Sequence, residues 1–335
     1  MKCSVIILNW NGADMLRRYL PSVVKNTQRD DTEIVVADNG STDNSLEVLA
    51  TGFQTVKTMA FDKNYGFAEG YNLALAATES EYTVLLNSDV EVTTGWLDRL
   101  LDYMDSHPQV AACQPVIRSY KDRQRFEHAG AAGGKIDRLG YPYCRGRIMS
   151  FVAQDKGQYA TSDLMFWASG ACMCIRTQAY KENGGLDSDF FAHMEEIDLC
   201  WRLQSRGWKI ACVTDSVVYH LGGGSLGYES PRKTFLNFRN NLLMLYKNLP
   251  ENRLKSVMRW RWWLDYAAAL HLLLTGKTAN AKAVYDARKE YKRLVKQTSW
   301  QDKREENIKK AIVPEVSTID NRSIIYDFYV KRIRE

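Results

Sequence analysis

Residues 3–38, CSVIILNWNGADMLRRYLPSVVKNTQRDDTEIVVAD, decide the fold. An apolar run at Val5 to Leu8 gives way to helically spaced Leu16, Leu20, Val23 and Val24, and a second apolar run follows at Ile34 to Ala37. Turn residues bound each run, so strand, helix and strand follow one another within one unit. Outward from this stretch the pattern repeats. Further runs stand at Val84 to Leu86 and Val110 to Cys113, with a more polar one at Gln54 to Met59. Helical sets lie between them at Leu46, Leu49 and Ala50, at Ala74, Leu75 and Ala77, and at Leu97, Leu100, Leu101 and Met104. The repeat predicts an α/β fold: a doubly wound, Rossmann-like, mostly parallel central sheet covered by helices on both faces. In such a sheet the ligand lies outside the carboxyl ends of the strands.

The 335 residues include 45% hydrophobic and 25% charged side chains, a globular composition that excludes collagenous, mucin-like and wholly disordered chains. Charge is unevenly placed. Residues 1–230 carry 22 basic and 29 acidic side chains, whereas residues 231–335 carry 23 and 11. An acidic front of 1–230 and a basic tail of 231–335 are therefore expected as separate regions, and the tail charge alone suits nucleic acid or an anionic membrane equally. Seven scattered cysteines, an odd number set among apolar neighbours, read as reduced core residues. Cys172 and Cys174 have no second pair or histidine at zinc spacing. The N-terminus carries neither the basic region nor the cleavage site of a secretory signal, which places the expected activity in a cytoplasm.

The first strands end in polar side chains: Asn9, Asp38, and Asn87 with Asp89. Any one of these could cap a helix or make a turn. Their convergence suggests a crevice lined by amides and carboxylates. Asn87-Ser88-Asp89 presents two oxygen donors at a strand end, a pattern suited to Mg²⁺ or Mn²⁺ held by one or two protein groups together with phosphate oxygens. His220 closes a strand just before Gly222-Gly223-Gly224-Ser225, where a neutral imidazole could complete the metal shell or serve structure alone. Glu195, Glu196 and Asp198 open a helix expected over Glu195 to Arg206. Acids favour that position through the helix dipole, and Asp198 can pair with Arg202 one turn on. A carboxylate facing the crevice could instead take a proton from an acceptor hydroxyl.

Elsewhere the periodicity weakens. Residues 118–165 read as an irregular insertion or meander, Phe166 to Ile175 as a strand-like run broken by Gly170, and Lys209 to Val213 with Val217 to His220 as a strand pair. Beyond Pro231 the chain reads as helical to about Ile312.

The ordered set VIILNWNG (5–12), VADNGSTDNS (36–45), NYGFAEGYN (64–72), LLNSDV (85–90), EEIDLCWR (195–202) and VYHLGGGS (218–225) resembles family 2 glycosyltransferases, most closely their rhamnosyltransferase-like bacterial branch. The resemblance covers roughly residues 3–250. It implies a GT-A fold, an inverting mechanism of the hexosyltransferase type, a UDP- or dTDP-sugar donor and a divalent cation, Mn²⁺ or Mg²⁺. Carried over to these positions, it places Asp38 on the nucleobase with Asn9 and Asn64 nearby, Asn87 on ribose, and Asp89 and His220 on the metal. Glu196 corresponds to the general base, with Glu195 as its neighbour. Trp167, Ser169 and Gly170 fall in the segment lining the sugar and acceptor, with Asp198 on the same side. Two positions depart from the family pattern: Asn87 replaces the first aspartate of Asp-x-Asp, and Glu196 replaces an aspartate.

In the tail, Arg253, Lys255, Arg259 and Arg261 lead into Trp260, Trp262, Trp263 and an apolar run to Leu274 containing Asp265 and His271. The run is short of the roughly 20 residues a spanning helix needs. A Trp-rich basic helix near 251–275 suits a membrane interface, or packs as a core helix. Combined with the resemblance, this suggests a peripheral enzyme on the inner face of a bacterial membrane, acting on a glycan or polyprenyl-linked acceptor in surface-polysaccharide synthesis, with no nucleic-acid partner. Rival readings are a nucleotidyltransferase of similar fold, disfavoured because Asn9-Trp10-Asn11-Gly12 lacks a basic residue, and a non-catalytic nucleotide-sugar-binding scaffold.

Overall fold

The computed structural model describes residues 1–222 and 230–334. The first half alternates as expected: β1 (Cys3–Asn9), α1 (Ala13–Asn26), β2 (Thr32–Asp38), α2 (Ser45–Gly52), β3 (Lys57–Ala60), α3 (Gly66–Ala76), β4 (Tyr82–Asn87), β5 (Val90–Val92), α4 (Trp96–Ser106) and β6 (Val110–Ser119). Strands β7 (Gly134–Asp137), β8 (Pro142–Cys144), β9 (Arg147–Ile148) and β10 (Phe151–Val152) then form a meander. The chain returns to the main sheet through β11 (Asp163–Met165) and β12 (Cys172–Arg176), followed by α5 (Thr177–Glu182), α6 (Glu195–Ser205) and β13 (Lys209–His220). The tail adds α7 (Pro231–Asn248), α8 (Glu251–Leu274), α9 (Thr278–Leu294), α10 (Thr298–Lys310), β14 (Ile319–Asp320) and α11 (Ile324–Tyr329).

The main sheet runs β11-β13-β6-β12-β4-β1-β2-β3, with β5 on β13. Strands β3, β2, β1 and β4 are mutually parallel, while β12 inserts antiparallel between β4 and β6. Both faces are covered, and the alternation of side chains shows it. Ile6, Val35, Ala37 and Leu85 enter one core, whereas Val5, Ile7, Val36, Val84 and Leu86 enter the other. Each buried aliphatic side chain contributes about 1.5–3 kcal/mol, which is why the runs carry no polar residue until they leave the sheet.

Three details differ from the sequence expectation or sharpen it. Lys209–His220 is one strand rather than a pair: it runs parallel to β6 throughout, and Thr214–Ser216 are absorbed as a register shift between Val213 and Val217 instead of turning the chain. Residues 118–165 make an ordered meander, and the tail strand β14 joins it in the order β10-β9-β8-β7-β14. The glycine run lies outside the described residues from Gly223 onward. The tail also shares the main core: Leu242, Leu243, Leu245, Leu249, Tyr291 and Trp300 belong to the cluster that holds Ile6 and Leu85. All seven cysteines are free and buried.

Candidate active site

Parallel register places the polar strand ends side by side. Asn9 of β1 is opposite Asp38 of β2, and Leu8 is opposite Asn87 of β4. Asn9 and Asp38 are buried and bonded to each other, Asn9 Nδ2 donating to Asp38 Oδ2 at 3.0 Å, while Asp38 Oδ1 accepts from the Ser41 amide at 2.9 Å. Asn9 Oδ1 is buried without a partner. Asn64 joins them through a residue the sequence reading missed. Asn39 Nδ2 donates to Asn64 Oδ1 at 3.1 Å and to the Gly66 carbonyl at 3.0 Å, and its Oδ1 accepts from the Tyr65 amide. Gly40 permits the intervening turn: its φ is +69°, and a Cβ there would lie 2.5 Å from the Lys63 backbone. The result is a buried polar cluster between the tips of β1 and β2 and the start of α3.

Beside it, β5 pairs antiparallel with the end of β13, setting Val90 opposite His220. His220 Nε2 lies 3.0 Å from Asp89 Oδ1 and 3.4 Å from Asn87 Nδ2. On the other edge of the ring, Nδ1 is 3.3 Å from Glu127 Oε2. Glu127 was not legible in the sequence, because its segment has no periodic signal. Burial opposes charge on the ring, but the close carboxylates of Asp89 and Glu127 outweigh it and raise His220 to about 10. Both carboxyls are correspondingly lowered despite their burial. Among the described residues no three His, Cys, Asp or Glu side chains gather around one point as a metal cage. Asp89 and His220 nevertheless turn Oδ1 and Nε2 to each other, and once the Nε2 proton is displaced they form a donor pair that fits a cation completing its shell with phosphate oxygens and water.

Glu195 and Glu196 open α6. Glu195 is buried, and its carboxyl is raised well above the usual range by that burial and by neighbouring Glu196. Glu196 is half-buried, and burial raises it to about 7. A Cβ on Gly170 would lie 3.9 Å from Glu196 Cβ and 3.1 Å from the Phe67 ring, so Gly170 borders the base of this side chain. Trp167 and Ser169 do not open onto it in the same way. The Trp167 indole donates to the Lys135 carbonyl at 2.9 Å, and the Ser169 hydroxyl donates to the Ala129 carbonyl at 2.8 Å, both side chains buried. Asp198, expected on the acceptor side, has its partners in the interior. It is fully buried, and its oxygens accept from Arg202 at 2.8 Å, Lys247 at 2.9 Å and Asn248 at 2.7 Å. With both oxygens engaged in the interior, it ties α6 to α7.

The profile of glycosyl transferase family 2 matches residues 4–184. The chain is a family 2 glycosyltransferase. The transferase is 24% identical over 285 residues to an N-acetylglucosaminyl-diphospho-decaprenol L-rhamnosyltransferase of Mycobacterium tuberculosis, covering 81% of this chain and 92% of that one. It is 40% identical over 141 residues to an uncharacterized glycosyltransferase of a Nostoc species, covering 41% and 43% of the two chains. Among solved structures, S. aureus TarS 1–349 in complex with UDP-GlcNAc superposes with a TM-score of 0.58 at 16% identity, covering 92% of the transferase and 89% of TarS 1–349. A Pyrobaculum calidifontis mannosyltransferase, PcManGT, in complex with GDP-Man and Mn²⁺ gives 0.54 at 15% identity, covering 92% and 84%. The transferase thus has the GT-A architecture with a helical C-terminal region.

Proposed function

We propose that the enzyme moves a sugar, with inversion, from a UDP- or dTDP-sugar to a hydroxyl of a glycan or polyprenyl-linked acceptor in bacterial surface-polysaccharide synthesis. The observation that carries this reading is the meeting of Asp89 and His220 at 3.0 Å beside the Asn9–Asp38 pair. The Asn9, Asp38 and Asn39 side chains carry the groups that would hydrogen-bond a nucleobase, and Asn87, 3.4 Å from His220, stands where ribose would lie. Asp89 and His220 would hold a divalent cation, which would supply positive charge opposite a departing diphosphate. Glu196 is the acceptor-activating base: as the hydroxyl oxygen bonds to the anomeric carbon, the carboxylate takes its proton, and the bond to the nucleoside diphosphate breaks on the opposite face. A carboxyl held near 7 is suited to that exchange at neutral pH. The M. tuberculosis relative is named for a diphospho-decaprenol acceptor, and a Myxococcus xanthus relative for O-antigen biosynthesis; both support the acceptor class.

The tail supports a membrane-surface location. Among the described residues no helix is long and apolar enough to cross a membrane. Helix α8 is arranged with its ions inward and its aromatics outward. Arg261 and Asp265 are buried, joined to each other and to Arg288, whereas Trp260 and Trp263 are 58% and 62% exposed beside exposed Trp262, Leu270, Leu273 and Leu274. Lys255 and Arg259 border this face. Such an apolar, basic-flanked surface fits an anionic bilayer interface.

The test is a panel of nucleotide sugars incubated with the enzyme and Mn²⁺, scored for thermal stabilisation and for the phosphate product. Release of nucleoside diphosphate, accelerated by a lipid-diphosphate-sugar acceptor, is expected. Release of pyrophosphate, or stabilisation by no donor, would overturn the reading.

A further inference from the structure

The loop leading into α6 is held in a conformation its residues do not favour. Phe191, His193 and Met194 all have positive φ, at 63°, 70° and 75°, although none is a glycine. Left-handed backbone is strained for side chains of this size, so something outside the loop must stabilise it. The geometry fits Asn240, fully buried on α7. Its Nδ2 lies 2.9 Å from the Phe190 carbonyl and 2.8 Å from those of both Ala192 and His193. Three carbonyls turned toward one point repel one another unless a donor sits among them, and the amide supplies two N–H groups. Arg239 fixes which way that amide faces: its Nε donates to Asn240 Oδ1 at 2.8 Å, while its Nη2 reaches the carbonyls of Asp189 and Phe190.

We infer that Asn240 is a positioning residue for the acceptor-activating carboxylate. Met194 is the residue before α6, and Glu195 and Glu196 are the first two of that helix, so the path of residues 190–194 sets the direction in which Glu196 points. The tail helix α7 thereby contributes to the active site without touching substrate. The inference rests on Glu196 being the base.

Asn240→Asp keeps the side chain's shape but removes its donors, and Asn240→Ala removes both. Each is expected to lower the transfer kcat about 10²-fold, the size of loss produced by a displacement of about 1 Å, while stabilisation by Mn²⁺ with nucleoside diphosphate stays at the parent level. Arg239→Leu, which frees the amide to rotate, should lower kcat in the same direction and serves if the Asn240 variants do not fold. The decisive measurement is a double-mutant cycle with Glu196→Gln. If Asn240 acts through Glu196, Glu196→Gln combined with Asn240→Ala is no slower than Glu196→Gln alone. Parent-rate transfer by a folded Asn240→Asp, parent-rate transfer by Arg239→Leu, or multiplicative losses in the cycle would overturn the inference. Parent-rate transfer by Glu196→Gln would overturn the base assignment itself.

Discussion

His220 Nε2 lies 3.0 Å from Asp89 Oδ1 although 131 residues separate the two in the chain. Pairing of β5 with β13 brings them together, and Glu127 on the other ring nitrogen makes the imidazole a bridge between two buried carboxyls. His220→Ala leaves Asp89 and Glu127 buried with no cation between them. Breaking a buried pair in this way destabilises by about 3–5 kcal/mol, to be read from urea unfolding with metal chelated. An unchanged midpoint would show that the ring carries no charge there.

The same three groups give the metal-free protein a pH signature. His220 is raised in the folded state, so its contribution is fully present below the unfolded value of about 6.5 and is lost as pH rises through about 10. Asp89 and Glu127 are lowered, so their contribution is present above about pH 4.5 and is lost as pH falls through their folded values. Stability from this trio is therefore greatest between about pH 4.5 and 6.5. Thermal midpoints measured from pH 5 to 10 in chelator should fall on the alkaline side, and His220→Ala should flatten that decline.

Glu196 must be ionised to accept a proton. With its carboxyl near 7, transfer should rise with pH through about 7 and level off above it. Glu196→Gln is expected to lose about 10²- to 10⁴-fold in kcat. Initial rates at saturating acceptor check both. A flat profile from pH 5.5 to 8.5, or loss with Glu195→Gln but not with Glu196→Gln, would move the role elsewhere.

Asp198 should behave as a structural anchor. Asp198→Ala leaves Arg202 buried without a carboxylate partner and Lys247 with Asp187 alone, with an expected destabilisation of about 3–5 kcal/mol. Acceptor KM in the fraction that remains folded should be unchanged. A raised acceptor KM at parental stability would restore Asp198 to the acceptor side.

The exposed face of α8 should bind vesicles. Trp260→Ala combined with Trp263→Ala is expected to abolish co-sedimentation with phosphatidylglycerol-containing vesicles and leave the thermal midpoint near the parent value. Equal sedimentation of parent and variant would remove these tryptophans from any membrane contact.

The sequence by itself determined the alternating sheet and the polar ends of its strands. Buried parallel strands demand apolar runs, and a run that stops at Asn9, Asp38 or Asn87 fixes where a side chain emerges. It also marked Glu195 and Glu196, because acids opening a helix are visible in any amphipathic reading. Only the tertiary structure decided which of these groups serve the crevice and which serve the interior. Asp198 and Glu196 are two residues apart on one helix, yet one points at Lys247 and the other at the Gly170 side. Glu127 and Asn240 carry no local pattern at all, and Asn39 stands inside a quoted motif without any sign of its partners. Their partners lie on other elements, reached through strand pairing and helix packing, and a hydrogen bond between distant segments leaves no periodic trace along the chain. The same holds for α8: composition showed tryptophans among arginines, and only packing of Arg261 and Asp265 inward turned the aromatic side out.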